Sequence, residues 1–484
     1  MGDMTLFAGA RVHLTGIKGS GMVALAQVLV SRGADVVGTD TAERFYTDLI
    51  LRDLNIPVIE HFSASNLRAG TKALFYSAAY DPDQHPEIRA ARESGIPVYT
   101  YTEGLGMLSD GTDATAVAGV HGKSTTTALL GTLVRALNLP LTTIVGSSVP
   151  DFGRRAAHVG GNRGLVAETC EYRRHFLDFH PDRILVTSIE ADHLDYYSDY
   201  ADIARAFREF VDRLPDGGSL IVCADDAGAA ALGERVEKER PDLRVVRYGR
   251  KASGRFQVTG ISTEPGATVL RVAGFDTNIR IPVPGMHNAL NVTGALALLE
   301  DMLIAHGVDD GLSGRTWQTV VSAIAGFQGL ARRSERIGEA SGVLVMDDYA
   351  HHPTAIRAEI DALRSFYPGR RLVVDFMSHT YSRTAALLTQ FAEALAGADA
   401  VILHRIYASA RETFSGKVSG ETLAQALREI HPDVTYIEEH TDALDHVAGL
   451  VREGDLFLTL GAGDNWQLGR RLLARLEQEA SDRS

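Results

Sequence analysis

The stretch GVHGKSTTT (119–127) decides how the central part of this chain folds. It lies between a predicted buried strand that ends at Gly119 and a predicted helix over 125–138. A glycine-rich loop in this context wraps phosphate oxygens with backbone N–H groups. The strict pattern G-x-x-x-x-G-K-[ST] needs a glycine five residues before Gly122, where Val117 stands. The stretch therefore predicts either a nucleotide site with a shortened loop or a helix N-cap that reads GKS by coincidence.

The loop also carries the two side chains that phosphate sites of this kind use. Lys123 can reach the β- and γ-phosphates of a nucleotide, and Ser124 can offer its hydroxyl to Mg²⁺. The dipole of the helix that begins here favours an anion at its N-terminus. The functional interpretation therefore predicts a nucleoside triphosphate with Mg²⁺.

Length and composition limit the class of protein. The chain has 484 residues, which favours about three domains, and 45% of them are hydrophobic and 23% charged. The net charge of −14 argues against nucleic acid or an anionic membrane as partner. Cys170 and Cys223 form neither a disulfide framework nor a zinc-ligand pattern. With no secretory signal pattern and no apolar run of ~18 residues, we expect a soluble, cytoplasmic protein.

Strand and helix patterns alternate along the chain, which predicts parallel, doubly wound sheets of the α/β class. Strands are predicted at 11–16, 34–40, 73–79, 96–100, 112–119, 164–169, 183–189, 219–224, 342–350, 370–378, 399–404, 434–439 and 455–463. Helices are predicted at 20–33, 125–138, 288–303 and 353–366. The turn-rich stretch 244–283 predicts a small antiparallel patch within the second unit.

A second glycine-rich loop, GIKGSGM (16–22), follows the first predicted strand. Its pattern is G-x-x-G-x-G, which differs from the G-x-G-x-x-G of a dinucleotide fold. Asp40 closes the second strand nineteen residues after Gly21, at the position of a ribose-binding acid. The loop predicts either a site for a nucleotide diphosphate or a tight strand-to-helix turn.

Acidic and histidine side chains end two strands after the phosphate loop. Glu168 closes one strand in AETCEY (167–172), and His193 follows another in SIEADHLDYY (188–197). Both belong at the carboxyl edge of a parallel sheet, where they can ligate metal ions beside a triphosphate. The alternative is that Asp192, His193 and Asp195 cap the following helix.

Polar side chains also end two strands of the third unit. MDDYAHHPTAI (346–356) brings two acids and two histidines to a strand-to-helix turn, and DFMSHTYSRT (375–384) contains His379 and Arg383. The alternative for the paired histidines is a solvated helix N-terminus with Pro353 in its first turn.

An arginine pair stands at the predicted junction of the second and third units, in GLARRSERIG (329–338). Arg332 or Arg333 could reach a phosphate across a cleft. The alternative is a solvated basic turn.

Taken together, these motifs resemble those of the Mur ligases, the ATP-dependent amino-acid ligases of peptidoglycan synthesis. The short loop of that family reads G-[TV]-x-G-K-[ST]-[ST], as GVHGKST does here. The resemblance covers nearly the whole chain, through GIKGSGM, GVHGKSTTT, SIEADHLD, PGMHNALN (284–291), GLARRSERIG, DDYAHHP and LTLGAGD (458–464). GIKGSGM, DDYAHHP, HTYSRT and IYASARETFSGKVSG (406–420) are most similar to the branch that joins L-alanine to UDP-N-acetylmuramate.

The resemblance implies three domains: a Rossmann-like UDP-sugar-binding domain (1–111), a central P-loop ATPase domain (112–326) and a Rossmann-like amino-acid-binding domain (327–484). It implies that L-alanine is joined to the lactyl carboxylate of UDP-N-acetylmuramate through an acyl phosphate, with ATP and Mg²⁺. This is a cytoplasmic step of peptidoglycan precursor synthesis, on which cell shape and division depend. A monomer and a homodimer are both compatible with the sequence.

The resemblance also implies the site residues. The UDP-sugar site comprises Gly16, Lys18, Gly19, Ser20, Gly21, Met22 and Asp40. The ATP site comprises Gly119, Val120, His121, Gly122, Lys123, Ser124, Thr125, His287, Asn288 and Asp347. The metal ligands are Ser124, Glu168 and His193. The amino-acid site comprises Tyr349, His351, His379 and Arg383. The catalytic residues are Lys123, His193, Arg332, Arg333, His351, His379 and Arg383, with His351 or His379 as the general base.

The chain departs from the family pattern at three places. ETCEY replaces the common E-A-D-E-S, so only Glu168 is carried over. Thr380 stands where many members have arginine, which leaves Arg383 as the arginine of that motif. The carbamylated lysine of several sister ligases has no counterpart, since no lysine lies between Lys123 and Lys238.

Three other functions remain open from the sequence. The nearest is the sister ligase that attaches a recycled tripeptide to the same nucleotide sugar. A nicotinamide dehydrogenase built on the first domain would leave GVHGKSTTT unexplained. A non-catalytic, nucleotide-regulated binding protein would form no ADP in response to substrate.

Overall fold

The computed structural model of the chain describes residues 7–193, 196–308, 310–408 and 418–483. Most of the stretch 406–420 that carries part of the resemblance therefore lies outside the described residues. The chain forms two compact units. One consists of Met1–Gly260, Leu270–Arg280 and Leu290–Gln328, and the other of Ile261–Val269, Ile281–Ala289 and Gly329–Ser484.

The first unit begins with a five-stranded parallel sheet. Its strands are β1 (Arg11–Thr15), β2 (Asp35–Thr39), β3 (Val58–Ile59), β4 (Thr71–Tyr76) and β5 (Val98–Thr100). Its helices are α1 (Ser20–Ser31), α2 (Thr47–Asp53), α3 (Pro86–Glu93) and α4 (Tyr101–Ser109). The order β3-β2-β1-β4-β5 reverses direction at β1, and ligands of such sheets bind at the carboxyl ends beside this reversal. The loop after β1 is GIKGSGM, so the fold places it at that position.

A second sheet of the same unit has seven strands in the order β12-β11-β10-β6-β9-β7-β8. They are β6 (Asp113–Ala118), β7 (Leu141–Val149), β8 (Arg155–Val159), β9 (Gly164–Glu168), β10 (Arg183–Val186), β11 (Ser219–Cys223) and β12 (Arg244–Tyr248). The helices are α5 (Lys123–Ala136), α6 (Tyr200–Val211), α7 (Ala227–Glu239), α9 (Gly314–Ala325) and, from Leu290 onward, α8 (Met286–Ala305). Only β8 runs antiparallel to its neighbour in this sheet.

The predicted antiparallel patch is smaller than expected. Within 244–283, strand β12 pairs in parallel with β11 as the edge of the seven-stranded sheet. Only β13 (Val258–Glu264), β14 (Ala267–Val272) and β15 (Ile279–Ile281) form the small separate sheet. As an edge strand, β12 is only partly buried, so its sequence RVVRY lacks the continuous apolar run of a buried parallel strand.

The second unit contains a six-stranded sheet in the order β16-β17-β21-β18-β19-β20. Its strands are β16 (Glu335–Ala340), β17 (Val343–Asp348), β18 (Leu372–Met377), β19 (Ala400–Leu403), β20 (Val434–Tyr436) and β21 (Leu456–Gly461). Its helices are α10 (Pro353–Phe366), α11 (Tyr381–Ala386), α12 (Leu388–Leu395), α13 (Gly420–Arg428), α14 (Leu444–Leu450) and α15 (Trp466–Arg483). The five predicted strands of this unit are confirmed. The antiparallel edge strand β16 was missed because ERIGEA contains almost no β-formers.

One helix is longer and more apolar than the sequence analysis allowed. Among the described helices, α8 (Met286–Ala305) has the length and a mean hydropathy of 1.2 that a membrane span requires. Of its most apolar window, 78% is buried inside the protein, as in the core helix of a folded domain.

A buried carboxylate joins the elements of the first sheet beneath the reversal point. Glu87 of α3 is inaccessible to solvent and accepts hydrogen bonds from Thr15 Oγ1 at 2.8 Å, Thr39 Oγ1 at 2.6 Å and Asn66 Nδ2 at 2.8 Å. His13 Nε2 lies 3.2 Å from the same carboxylate. Burial alone would raise the pKa of Glu87, but the hydrogen bonds outweigh it and lower the pKa to about 2.

We expect Glu87→Gln to destabilise the chain by about 3 kcal/mol at pH 7, since the pKa of Glu87 falls well below its ordinary value on folding. The carboxylate contribution is fully present above the ordinary pKa of 4.5 and is lost as the pH falls towards 2. Urea unfolding of both proteins between pH 7 and pH 3 measures this, and the stability gap should narrow below pH 4.5. A gap that stays constant over the whole range would contradict it.

Candidate active site

The loop between β6 and α5 has a backbone that only glycine permits at two positions. Gly119 has a φ of 134°, and a Cβ there would clash with Thr187 Oγ1. Gly122 has a φ of 82°, and a Cβ there would lie 2.5 Å from Asn291 Oδ1. Because both glycines are required by close approach as well as by φ, the geometry favours a built loop over a coincidental helix cap.

The end of β10 supports this loop. Ser188 accepts the N–H of Val120 on its carbonyl oxygen and the N–H of His121 on its hydroxyl, each at 3.0 Å. The hydroxyl of Thr187 donates to the carbonyl oxygen of His121. The backbone N–H groups of Val120 and His121 are therefore already engaged in shaping the loop.

A buried ion pair lies directly beneath the loop. Lys123 Nζ donates to Glu171 Oε2 at 3.0 Å and to the carbonyl oxygen of Gly119. Burial would lower the pKa of Lys123, but the charge of Glu171 outweighs it and raises the pKa. Burial would raise the pKa of Glu171, but Lys123 and then His193 lower it. Both groups are therefore charged at neutral pH.

The carboxyl end of β9 supplies a second carboxylate. Glu168 Oε1 accepts the hydroxyl of Ser124 at 2.8 Å, and Glu168 Oε2 accepts the N–H of Gly146 at 2.8 Å. Ser124 lies in the first turn of α5 together with Thr125. The strand end and the helix start thus bring together two of the three predicted metal ligands.

His193 is held beside Glu171 by a strained backbone. Its φ of 52° is in the left-handed region, which non-glycine residues adopt rarely and often at functional sites. Its Nε2 lies 3.5 Å from Glu171 Oε1, and its ring centroid lies 4.7 Å from that of Tyr172. The alternative that His193 caps the next helix is wrong, because α6 is capped by Asp199, whose side chain accepts the N–H of Asp202. Asp195 lies outside the described residues.

The donor atoms gathered here suit a hard divalent cation. They are one hydroxyl oxygen, two carboxylates and one imidazole nitrogen, from Ser124, Glu168, Glu171 and His193. The Glu168 carboxylate accepts hydrogen bonds from a hydroxyl and a backbone amide, which are both neutral donors. Oxygen donors of this kind are those that Mg²⁺ prefers, so these residues fit the ion that the resemblance implies.

A cavity of about 170 Å³ is lined by Glu168 of β9 and by residues of the first sheet's domain. These include Ser20 and Gly21 of the loop after β1 and Tyr101 of α4. A Cβ on Gly21 would lie 2.8 Å from the ring of Tyr101, so a glycine is needed for this packing. Cys170 lines the same cavity. The cavity thus places the loop after β1 and the predicted metal ligand Glu168 on one surface within the same unit.

Three of the predicted UDP-sugar residues have structural partners. The Lys18 side chain is 2% exposed, and its Nζ donates to Glu60 Oε1 at 3.0 Å and to the carbonyl oxygens of Thr41 and Glu43. Asp40 accepts the N–H of Lys18 at 2.7 Å and that of Thr41 at 2.8 Å. Met22 is buried in α1. Gly16, Gly19 and Ser20 remain at the start of the loop and helix, where Gly16 has a φ of 79°.

In the second unit, the predicted amino-acid residues lie together at the carboxyl ends of β17 and β18. His351 Nδ1 lies 2.9 Å from the carbonyl oxygen of Tyr349. The ring centroids of His351 and His379 are 5.6 Å apart, and an Arg383 Nη atom lies 3.2 Å from His379 Nδ1. Tyr407, which the sequence analysis did not single out, stacks on His379 with centroids 6.1 Å apart.

The arginine pair, Arg332 and Arg333, and Asp347 form a second group of predicted residues in this unit. Arg332 Nε donates to Asp347 Oδ2 at 3.1 Å, and its guanidinium lies 5.0 Å from the ring centroid of Tyr349. Thr459 donates to the other oxygen of Asp347 at 2.6 Å. Asp347 is 2% exposed and its burial raises its pKa. The guanidinium of Arg333 lies 5.4 Å from the Tyr349 ring.

The adenine-side candidates lie at the start of α8. Asn288 is buried, and its Nδ2 donates to the carbonyl oxygen of Pro284 at 2.7 Å. His287 packs closely against Gly285, where a Cβ would lie 2.6 Å from its ring. Both residues belong to the second unit.

Two residues of the site were missed from the sequence. Glu171 was set aside because ETCEY departs from E-A-D-E-S, although it occupies the position of the second glutamate in that pattern. Asn291 follows Asn288 by three residues in PGMHNALN and packs on Gly122. Each of them stands three residues after a predicted site residue of the same type: Glu171 after Glu168, and Asn291 after Asn288. This spacing was the signal in the sequence that could have found them.

Comparison with known protein families supports this arrangement. The first sheet matches the Mur ligase family, catalytic domain, over residues 11–112. Residues 117–299 match the Mur ligase middle domain, and residues 332–463 match the Mur ligase, glutamate ligase domain. The chain belongs to the Mur ligase family. The three-domain α/β architecture is therefore confirmed, whereas the boundaries at 111/112 and 326/327 remain predictions.

Individual relatives cover almost the whole chain. The UDP-N-acetylmuramate–L-alanine ligase of Treponema pallidum is 46% identical over 472 residues, which is 98% of each chain. That of Desulfitobacterium hafniense is 36% identical over 96% of this chain and 99% of its own. The crystal structure of the UDP-N-acetylmuramate-alanine ligase from Thermotoga maritima superimposes with a TM-score of 0.78, at 26% identity and over 97% of this chain and 99% of that one.

We expect Gly119→Ala to weaken binding of a non-hydrolysable ATP analogue by at least about tenfold, because the added Cβ displaces the end of β10 from the loop. Isothermal titration calorimetry measures the affinity. The matched control is Gly217→Ala, which also has a positive φ of 79° but has open space around the Cβ position. Equal loss of affinity in the two variants would contradict the expectation.

Proposed function

We propose that this chain joins L-alanine to the lactyl carboxylate of UDP-N-acetylmuramate at the expense of ATP, in peptidoglycan precursor synthesis in the cytoplasm. One observation carries the proposal: five side chains converge at the carboxyl edge of the seven-stranded sheet. They are Lys123, Ser124, Glu168, Glu171 and His193. The cavity from Glu168 to Ser20 supports it, since it gives the lactyl carboxylate of a nucleotide sugar a route to the phosphate site. The activity of the relatives at 46% and 36% identity favours the same substrates.

The residues at this edge of the seven-stranded sheet account for phosphoryl transfer to a carboxylate. Both reactants are anions, so their approach needs positive charge and fixed positions. Lys123 supplies an ammonium at the loop, and the start of α5 supplies N–H groups. A carboxylate oxygen bonds to the γ-phosphorus as the bond to the bridging oxygen breaks and ADP leaves. The product is an acyl phosphate, an activated electrophile from which the amine later displaces phosphate.

Ser124, Glu168, Glu171 and His193 are the residues that would hold Mg²⁺. When bound, the ion offsets the charge of the phosphate oxygens. Glu168 and Glu171 orient their oxygens through their hydrogen bonds to Ser124 and Lys123, so the donor set is preorganised.

The second unit supplies groups for the amine. Arg383 has the charge and geometry for the carboxylate of an amino acid. His351 and His379 lie within one cluster, and a neutral imidazole there can take the ammonium proton before attack on the acyl phosphate. Because both imidazole rings lie in this cluster, either histidine is a candidate base.

The sister reaction with a recycled tripeptide is the second candidate. The murein peptide ligase from Psychrobacter arcticus shares the fold with a TM-score of 0.67 but only 20% sequence identity. Purified chain with ATP and UDP-N-acetylmuramate separates the two. We expect phosphate release with L-alanine and none above background with the tripeptide, and the reverse result would overturn the proposal.

Lys123→Ala should lower alanine-dependent phosphate release by about a hundredfold or more, because the ammonium stabilises charge during phosphoryl transfer. The variant also leaves Glu171 without its buried partner, so its thermal unfolding midpoint must be measured alongside. A folded variant that retains activity would remove Lys123 from the mechanism. A dehydrogenase activity built on the first domain would instead be left intact by this substitution.

For Glu168→Gln we expect the Mg²⁺ concentration at half-maximal activity to rise by about tenfold or more, because one charged ligand becomes a neutral amide. Titration of Mg²⁺ at saturating ATP and L-alanine measures it. Glu93→Gln, a change of an exposed acid on α3, is the control. An unchanged Mg²⁺ requirement would show that Glu168 is no ligand.

A further inference from the structure

A charged network is buried in the second unit at the carboxyl ends of three neighbouring strands. Asp375 of β18, His404 after β19 and Asn465 after β21 are 0%, 1% and 0% exposed. His404 Nε2 lies 2.6 Å from Asp375 Oδ1, and Asn465 Nδ2 donates to Asp375 Oδ2 at 2.8 Å. His404 Nδ1 lies 2.7 Å from the carbonyl oxygen of Ile437 at the end of β20. One network thus links four strand ends.

The partners fix the protonation of His404. The carbonyl oxygen of Ile437 can only accept, so His404 Nδ1 must carry a proton. The second ring nitrogen shares a proton with Asp375. Burial alone would lower the pKa of His404, but the adjacent Asp375 carboxylate outweighs it and raises the pKa. The pair is therefore an ion pair deep in the core.

An ion pair in this position is a poor choice for stability alone. Removing both charges from water costs more than their attraction returns in many proteins, and apolar residues of similar volume pack such a core as well or better. The neighbouring layer of this core is apolar, with Val374, Phe376 and Leu403 fully buried. What the pair provides that apolar residues lack is direction, since each hydrogen bond fixes one strand end relative to another.

The strand ends that it fixes carry the amino-acid cluster. His379 follows Asp375 by four residues, and Tyr407 follows His404 by three. The Tyr407 N–H donates to the carbonyl oxygen of Ser378 at 2.8 Å, and the Thr380 N–H donates to that of Tyr407 at 3.0 Å. These two bonds continue the pairing of β18 with β19 past its last regular residues, so that the rings of His379 and Tyr407 stack.

We propose that His404 is a positioning residue for the amino-acid substrate. Through its ion pair with Asp375 it sets the separation of the two segments that present His379 and Tyr407. Arg383, whose guanidinium contacts His379, is set by the same frame. The inference rests on the proposed function, because it identifies the substrate that this cluster receives.

The test compares two buried histidines of the same unit. His404→Gln removes the ion pair but keeps a side chain that can donate to one acceptor. His431→Gln is the matched control, because His431 is 8% exposed and its Nε2 lies 3.1 Å from the carbonyl oxygen of Ala398, away from the cluster. Asp375→Asn, which keeps the shape and removes the negative charge, is the second variant in case His404→Gln does not fold.

For each folded variant, KM for L-alanine and KM for ATP are measured by phosphate release, with thermal unfolding alongside. We expect His404→Gln or Asp375→Asn to raise KM for L-alanine about tenfold or more and to leave KM for ATP within about twofold. His431→Gln should lower the unfolding midpoint without changing either KM.

Three results would overturn the inference: an unchanged KM for L-alanine in a folded variant, equal increases in both KM values, or the same alanine effect in His431→Gln. If the unmodified chain releases no phosphate with L-alanine, the proposed function itself fails. That outcome is distinct, because it appears before any variant is compared.

Discussion

The ion pair between Lys123 and Glu171 is the interaction on which the central site depends. It connects the loop before α5 to the segment after β9, and Glu171 also faces His193 on the segment after β10. Three chain segments that are distant in sequence therefore meet at one buried carboxylate. A lysine whose charge is already matched can turn towards phosphate only if Glu171 gains another positive partner. The donor set of Ser124, Glu168 and His193 beside it is where a divalent cation would provide that charge.

Much of the fold follows from the sequence because parallel strands are buried on both faces. Runs such as TDATAVAG and RRLVVDFMS therefore read as near-continuous apolar segments between helical patterns, and their order is constrained by the α/β class. The antiparallel assignment of the edge strand β12 was wrong and the edge strand β16 was missed, because both strands are only partly buried. Their composition reflects that exposure more than their pairing.

The candidate site was predictable in position more than in detail. Strand ends determine which segments meet, so Glu168 and His193 could be placed near the loop from sequence alone. The hydrogen-bond partners of each side chain depend on tertiary packing, which cannot be predicted from the spacing of residues in the sequence. Lys18 illustrates this, since its ammonium group donates hydrogen bonds to oxygen atoms of Thr41, Glu43 and Glu60. The left-handed φ of His193 is likewise a feature that no sequence pattern predicts.

The departure at Thr380 has a structural counterpart in the second unit. Many members of the family place an arginine there, but here Thr380 has a φ of 65°, and its backbone joins both Tyr407 and Thr384. The position thus serves backbone pairing, and Arg383 is left as the guanidinium of the motif. A single arginine can orient a carboxylate only if its own position is well fixed, because no second cation corrects an error in angle. The buried pair of His404 and Asp375 can fix the position of Arg383 in this way. It would compensate for the absence of a second arginine at position 380.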